Sequence, residues 1–383
     1  MIVEAFGFGP RMLAWNQFSP AVQRRLEQQG VTALSFEGWR EGVAKRTEQR
    51  ERDGEGDHLV HYALLSRSFT DLPPIEPALS AKQFVKSGAI PKDAMVRMQV
   101  LQAALRKNNL SLRLEEMRSI AAGRDFAAEY ERAMRFLYAK EFEHETSYAN
   151  RGHSTDTAIA ANYAVWQGLS VLRAMVPKLE LKRILIVGPG LDFAPRTELI
   201  ETARPQSYQP FAVLDALLAL GMKPLIHSVD INPRVIRFFQ TFAADPVLEL
   251  HAQDGERDYL AYFQQLGQKL GTVQETGSIK TVTVRTEWAR AVTAEQRNIV
   301  TEAPLSGYDL VIATNVLLYY KGPELTVAIS NIAQSLKPGG YFLHNDLRPE
   351  LDGATHATGL EAAAARTVRI SAATFDSYAL YRR

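Results

Sequence analysis

The chain has 383 residues, 46% of them hydrophobic and 23% charged, with 44 basic against 43 acidic side chains and a formal net charge of +1. This is the profile of a folded chain rather than a disordered one, and it supplies no general attraction to nucleic acid or anionic membrane. The absence of cysteine excludes disulfides, thiolate catalysis and cysteine-ligated zinc or iron–sulfur centres. The length predicts two domains. The opening MIVEAFGFGPRMLAW carries Glu4, no basic start and no sustained apolar run, so no signal peptide is expected. No stretch approaches the roughly 18 apolar residues of a membrane span, and a cytoplasmic protein is the default expectation.

Residues 1–180 read as a mainly α-helical domain. Ser19-Pro20 followed by AVQRRLEQQG predicts an N-cap, a proline in the first turn and a helix ended by Gly30. The charged run KRTEQRERDGEGD, Lys45 to Asp57, reads as a flexible loop in preference to a solvated helix end. HLVHYALLSRSF has helical apolar spacing and is stopped by DLPPIEP, Asp71 to Pro77. Further helices are predicted over Asp93–Lys107, Arg113–Ala122, Phe126–His144 and Thr155–Met175. His58 and His61, and His144 between Glu143 and Glu145, lack the second ligand pair a metal needs, so they read as surface side chains and no metal site is expected.

From Lys182 the texture changes. Apolar runs rich in Val and Ile alternate with helical stretches: RILIVG (183–188), PLIHSVD (224–230), IKTVTVR (279–285), YDLVIATN (308–315) and GYFLHND (340–346). Near-continuous apolar strands separated by helices predict a parallel sheet covered on both faces. TVRIS and SYALYRR, with no long helix between them, predict an antiparallel pair at its edge.

Three segments carry chemistry. In RILIVGPGLDF the first strand runs into Gly188-Pro189-Gly190, where the lack of a Cβ permits close approach of a ligand, although Gly-x-Gly after a strand is also simply a tight turn. In IHSVDINP the second strand ends on Asp230, a carboxylate able to accept both hydroxyls of a ribose or, alternatively, to cap the helix starting near Pro233. The third segment is YDLVIATNVLLYY (308–320), followed by SLKPGGYFLHND (335–346), in which proline and glycines end a helix and reverse the chain into a strand.

Taken in order, these segments resemble the class I S-adenosylmethionine-dependent methyltransferases. They are most similar to the branch containing the chemotaxis-receptor (CheR-like) glutamate methyltransferases, through Tyr308-Asp309-Leu310, Asn315-Val316-Leu317-Leu318-Tyr319 and Leu336-Lys337-Pro338-Gly339-Gly340. The resemblance covers about 200 residues. It implies an α/β fold, a Rossmann-like methyltransferase domain with a mostly parallel seven-stranded sheet over residues 181–383, preceded by the helical domain of residues 1–180. The implied cofactor is S-adenosyl-L-methionine and the implied activity is methyl transfer to an unknown acceptor, with the helical domain covering the cleft or selecting the acceptor. Gly188, Pro189 and Gly190 would lie under the methionine and ribose part, Asp230 would hold the ribose and Ile231 would pack on adenine. Thr314 and Asn315 would face the methionine end. For the adenine side Asp254 competes with Asn298-Ile299, and Asn298 with Ile299 is preferred, which makes residues 245–278 an insertion.

The chain departs from the family pattern at three places. Ile186 stands where many members carry an acid, Asp192 where they carry a third glycine, and Thr314 where the chemotaxis enzymes carry arginine. Asp192 is then a candidate for the cofactor's ammonium group. Tyr319, Tyr320, His344 and Asp346 fall near the expected cleft, but none is assigned as catalytic. Two other readings share the fold: a non-catalytic nucleoside-binding sensor or scaffold, and an enzyme with a different ligand, such as an aminopropyltransferase or a nicotinamide-dependent oxidoreductase. The last would show Gly-x-Gly-x-x-Gly, whereas Asp192, Phe193 and Ala194 stand here.

Overall fold

The computed structural model describes residues 12–143, 152, 160–191, 206–251, 254–277 and 279–383. The chain forms two compact units, one of residues 1–45, 158–191 and 206–383, the other of residues 46–157 with 192–205. This division does not follow a single boundary at 180, because helices from the N-terminal half are built into the sheet-bearing unit.

The first unit begins with α1 (Pro20–Gln28), where Ser19 accepts the Val22 amide as the N-cap and Pro20 opens the helix. The start of α2 (Phe36–Leu65) also belongs here, and the rest of α2 to the helical unit. In that helical unit follow α3 (Pro77–Ser87), α4 (Lys92–Leu105), α5 (Leu112–Ala121) and α6 (Phe126–Phe142). Back in the first unit, α7 (Ala161–Met175) leads into β1 (Arg183–Val187).

The segment expected as a loop, Lys45 to Asp57, is helical throughout as part of α2. Three of its acids, Asp53, Glu55 and Asp57, are paired. Arg132 on α6 binds Asp57 at 3.1 Å, and Arg124 binds Glu55 at 3.2 Å and Glu129 at 2.8 Å. Gly56 is required by close packing, since a Cβ there would collide with the Glu129 and Arg132 side chains. His58 and His61 face inward, 2% and 3% exposed, against the expectation of surface histidines; His61 Nδ1 lies 2.8 Å from the Asp57 carbonyl. The helical unit also buries Arg97, which donates to the carbonyls of Ala63 (2.8 Å), Leu72 (2.6 Å), Pro73 (3.0 Å) and Ser66, ending α2 with a positive charge where its dipole is negative.

Past β1 come α8 (Gln209–Ala219), β2 (Leu225–Asp230), α9 (Pro233–Phe242), β3 (Val247–His251), α10 (Arg257–Gln265), β4 (Gly271–Thr276), β5 (Ile279–Val284), α11 (Thr286–Arg290) and β6 (Val292–Gln296). β7 (Tyr308–Ala313), α12 (Gly322–Ser335), β8 (Leu336–His344), α13 (Glu350–Ala357), β9 (Glu361–Arg369) and β10 (Phe375–Arg382) complete the chain. Among the described residues they build a seven-stranded sheet in the order β6-β2-β1-β7-β8-β10-β9 and a three-stranded sheet in the order β3-β5-β4. In the large sheet β6, β2, β1, β7 and β8 are parallel, while β10 runs antiparallel to both β8 and β9. This is the expected Rossmann-like α/β fold, a mostly parallel seven-stranded sheet with an antiparallel edge pair.

One strand differs from expectation. IKTVTVR is not the third parallel strand; it forms β5, antiparallel to β3 and β4 in the small sheet. Its Lys280, Val282 and Val284 are buried while the residues between them are not, the alternation of a strand with one face in the core. The third parallel strand is the more polar VTAEQ of β6, paired with β2 from Ile226↔Val292 to Asp230↔Gln296. The insertion therefore extends past residue 278 to include β5. Asp215 of α8 anchors it by accepting the amides of Gly267 and Lys269, each at 2.9 Å.

Both faces of the large sheet are covered. Ile184, Ile186, Leu310, Ile312 and Leu343 pack against α7, α8 and the insertion, and Leu185, Val187, Val311 and Phe342 against α1, α12 and α13. Gly168 lets α7 approach closely, because a Cβ there would lie 2.8 Å from Leu343 Cδ1 and 3.2 Å from the Tyr378 ring. In the helical unit, Arg97→Met is expected to cost about 3 kcal/mol or more, since several buried carbonyls lose a charged donor. Urea unfolding, with the exposed Arg118→Met as control, measures it, and faster amide exchange at the end of α2 locates the loss.

Candidate functional site

A parallel sheet brings the C-terminal ends of its strands to one edge, and ligands of such sheets bind where the strand order reverses. Here the order runs from β1 through β2 to β6 on one side and from β7 to β8 on the other, so the reversal lies between β1 and β7. β1 ends at Gly188, β2 at Asp230, β6 at Gln296, β7 at Thr314-Asn315 and β8 at Asn345. Residues 188, 230, 314 and 315 thus meet along one rim.

The Gly188-Pro189-Gly190 turn needs glycine twice, with φ of +64° and +68° at its two ends. At Gly188 space is the second constraint, because a Cβ would lie 2.7 Å from Val316 Cγ2 across the β1–β7 seam. The Gly188 amide bonds the Val229 carbonyl at 2.8 Å, which fixes the turn on β2.

Asp230 is 7% exposed. Its Oδ2 accepts the Gly190 amide at 3.1 Å and its Oδ1 the Asn232 amide at 2.8 Å. A carboxylate offers about four acceptor positions, so each oxygen retains a lone pair for another donor. Burial outweighs these amides and pushes the carboxyl up to about 6. The helix cap expected as an alternative role belongs instead to Asn232, which accepts the Arg234 amide. Ile231 is half-buried beside Asp230, and Gln296 Nε2 donates to its carbonyl at 2.9 Å.

Thr314, 3% exposed, accepts a hydrogen bond from Gln209 Nε2 of α8. Asn315 stands in the left-handed region at φ +58°, which asparagine tolerates better than most residues. Its amide donates to Asn345 Oδ1 and its own Oδ1 accepts Asn345 Nδ2, both at 2.8 Å. Asn345 Nδ2 also donates to Asp376 Oδ1 of β10 at 3.3 Å. The result is a polar ladder across the ends of β7, β8 and β10. Burial raises Asp376 to about 6 in spite of the Ser377 amide and Asn345.

Asn298 and Ile299 follow the end of β6. Asn298 lies two residues beyond the end of β6, and its Oδ1 accepts the amides of Val300 (2.9 Å) and Thr301 (3.3 Å), closing a turn. Ile299 is 6% exposed, in the core with Leu13, Val300 and Ile332. At the end of β6 itself stand Gln296 and Arg297, and the Arg297 amide donates to the Asp230 carbonyl at 2.9 Å. Asp192 lies outside the described residues, and Asp254 sits in the insertion rather than at the end of a strand of the large sheet.

The four groups expected near a cleft are occupied in the fold. Tyr319 and Tyr320 are buried; His344 is 1% exposed between Phe342 and Tyr381, and burial lowers it to about 4, so it is neutral at pH 7. Asp346 pairs with Arg348 at 2.7 Å, and Arg348 holds the carbonyls of Leu317 and Tyr320. Sequence reading missed Gln209, Asn345 and Asp376. Asn345 carried a signal, a polar residue ending an apolar strand in GYFLHND. Asp376 carried none, because β10 enters this edge from the opposite direction.

No protein-family model and no curated protein matches the chain. Solved structures similar to it include the N-methyltransferase NodS from Bradyrhizobium japonicum WM9 in complex with S-adenosyl-L-homocysteine, at 13% identity and a TM-score of 0.32 over 57% of this chain and 85% of that one. Magnesium protoporphyrin IX methyltransferase (ChlM) from Synechocystis PCC 6803 with bound S-adenosylmethionine is 12% identical, with a TM-score of 0.33 over 64% of this chain and 93% of that one. The S-adenosylmethionine-dependent methyltransferase SibL in its apo form is 11% identical, with a TM-score of 0.36 over 80% of this chain and 70% of that one. These neighbours are S-adenosylmethionine-dependent methyltransferases; likenesses of this size carry no activity across, and the fold rests on the strand order itself. Among the described residues no helix is long and apolar enough to cross a membrane, and no group of three metal-ligating side chains forms.

Gly188→Ala is expected to lower stability by about 1–3 kcal/mol, through both the positive φ and the Val316 contact. Adding Val316→Ala should restore only the steric share. Thermal unfolding of the single and double variants measures this, and full recovery in the double variant would show that backbone strain contributes nothing.

Proposed function

We propose that this chain is an S-adenosylmethionine-dependent methyltransferase acting on an acceptor not yet identified. The observation that carries the reading is Asp230, a buried carboxylate with lone pairs to spare beside a glycine turn at the sheet's switch point. In this role Asp230 accepts the two ribose hydroxyls, Gly188, Pro189 and Gly190 lie beneath the sugar and the chain beyond it, and Ile231 packs on the adenine. Thr314 and Asn315 face the methionine end. Asn298 and Ile299, which follow the end of β6 by two and three residues, are kept for the adenine side, with Gln296 at the strand end beside them. Once bound, the cofactor supplies an electrophilic methyl group on a sulfonium, and the protein's task is orientation.

Among the described groups, Asp376 is the carboxylate best situated toward an acceptor, half-buried at the end of the Asn315–Asn345 ladder. The motifs of residues 315–319 and 336–340 favour the branch of the chemotaxis-receptor enzymes; Thr314 in place of arginine keeps receptor glutamate out of the proposal. Acceptor selection is assigned to the helical part of the N-terminal half. A non-catalytic sensor of the same fold is the second reading, favoured by the burial of Tyr319, Tyr320 and His344 and the pairing of Asp346.

Calorimetry with S-adenosylmethionine, S-adenosylhomocysteine and NAD tests the cofactor. The first two are expected to bind and NAD not to; binding of NAD alone rejects the reading. Transfer of labelled methyl to fractions of a lysate then separates enzyme from sensor.

Protonation gives Asp230 a further signature. Its ionised form accepts the hydroxyls, so nucleoside affinity should fall as the pH drops below about 6 and level off above about 7. Stability without ligand runs the other way. The folded chain holds this proton more tightly than the unfolded chain, so the Asp230 contribution is full below about pH 4 and is lost as the pH rises through about 6. Asp230→Asn should therefore lose nucleoside binding while removing a cost on the order of 2 kcal/mol at pH 8. Urea unfolding at pH 4 and pH 8 checks the second half, and a variant less stable at both pH values would count against the assignment.

A further inference from the structure

β10 enters the rim at Phe375-Asp376, and the sheet gives the Asp376 carboxylate a fixed position without a counter-charge. Its Oδ1 accepts the Ser377 amide at 2.7 Å and Asn345 Nδ2 at 3.3 Å. The same Asn345 nitrogen donates to Asn315 Oδ1 at 2.8 Å, so a single carboxamide bridges the oxygens of Asp376 and Asn315. Val368 stands opposite on β9. The charged groups nearby are engaged elsewhere. Arg369 reaches Glu256 at 4.0 Å and lies over the Phe375 ring, Arg366 stands beside Tyr378, and Asp346 holds Arg348. His344 is buried between Phe342 and Tyr381. Among the described residues no cation pairs with Asp376 and no donor reaches its Oδ2.

A half-buried carboxylate without a cation is costly, and the molecule that best offsets the cost brings a positive charge. A carboxylate acceptor would set two negative charges side by side, and a hydroxyl would add one neutral hydrogen bond; an ammonium adds a charge-assisted one. An ammonium has no lone pair and must lose a proton before it attacks. Burial helps at both ends of that transfer, raising the carboxyl to about 6 and lowering the proton affinity of an amine drawn in beside it. We infer that the methyl acceptor is an amine, and that Asp376 pairs with its ammonium and takes the proton that uncovers the attacking nitrogen. This rests on the methyltransferase reading above. The N–H bond breaks with its proton passing to Asp376; the nitrogen lone pair then forms the bond to the methyl carbon as the carbon–sulfur pair returns to sulfur. Asn345 acts as a positioning residue, tying Asp376 to the end of β7.

Transfer of labelled methyl to lysate fractions, at saturating S-adenosylmethionine, tests the acceptor class. Labelling is expected to disappear when the amines of the fraction are acetylated beforehand, and the label formed without acetylation should survive mild alkali, which releases a methyl ester as methanol. Labelling that persists after acetylation, or that alkali removes, overturns the inference and leaves the methyltransferase reading standing. No labelling in any fraction overturns both, and S-adenosylhomocysteine binding by calorimetry then favours the sensor. Asp376→Asn keeps the volume and an oxygen for Ser377 and Asn345 but removes the charge. It should slow transfer about a hundredfold and leave S-adenosylhomocysteine affinity within about twofold, with partial recovery in Asp376→Glu. In the wild-type chain transfer should fall as the pH drops below about 6, since only the ionised carboxylate takes the proton. Undiminished transfer in Asp376→Asn, or an equal loss of S-adenosylhomocysteine affinity, overturns the inference. If that variant does not fold, the acetylation result on the wild-type chain decides.

Discussion

Asp230 keeps a carboxylate where water scarcely reaches, and two backbone amides at its side-chain oxygens are what the surrounding turns give it. Much of the architecture around it can be understood as making that placement tolerable. β2 must end at the rim for the residue to stand there, and β1 must turn away through glycines for the Gly190 amide to reach it. β6 must pair as far as Gln296 for the Arg297 amide to bond the Asp230 carbonyl and close the strand end. A group maintained against its own solvation is a poor choice for stability, and it is sensible where an incoming molecule completes its hydrogen bonds.

Around this centre the chain uses polar side chains as fasteners. Gln206 ties the start of α8 to β3, and Asp215 ties α8 to the insertion. Asn345 joins β7 to β10, and Arg348 holds the turn after β7 in place. Each fastener replaces a water-exposed backbone or side-chain group with a directed bond, which apolar packing alone would not do. The packing fixes which faces meet; the polar ties fix the rim to the geometry a small molecule can sense.

The fold and the rim where its strand ends converge were legible because they follow from short-range rules. Apolar runs ending in Gly188, Asp230 and Asn315 announce buried parallel strands that stop at a polar edge, and Ser19-Pro20 announces a helix start. The third parallel strand was not legible. VTAEQ is half polar and less strand-like by composition than IKTVTVR, whose strict alternation was the mark of a different sheet. The run from Lys45 to Asp57 was misleading because Glu55 and Asp57 find partners in Arg124, just before α6, and Arg132 on α6, more than sixty residues away, and only the folded chain shows that. Gln209 was hidden in an otherwise apolar helix; its meaning depends on Thr314, which is distant in sequence and adjacent in space.

The seam between β1 and β7 is fastened unevenly. At its far end Asp309 accepts the amides of Lys182 and Arg183 and pairs with Lys337, each at 2.8 Å. Burial alone would raise that carboxyl, but Lys337 and the amides outweigh it and hold it below its ordinary value. At the rim end the described contact is a valine methyl against a glycine. The seam is tied by directed polar bonds at the border away from the rim and by close apolar packing at the rim itself, so the spacing of the two strands there depends on the missing side chain at position 188.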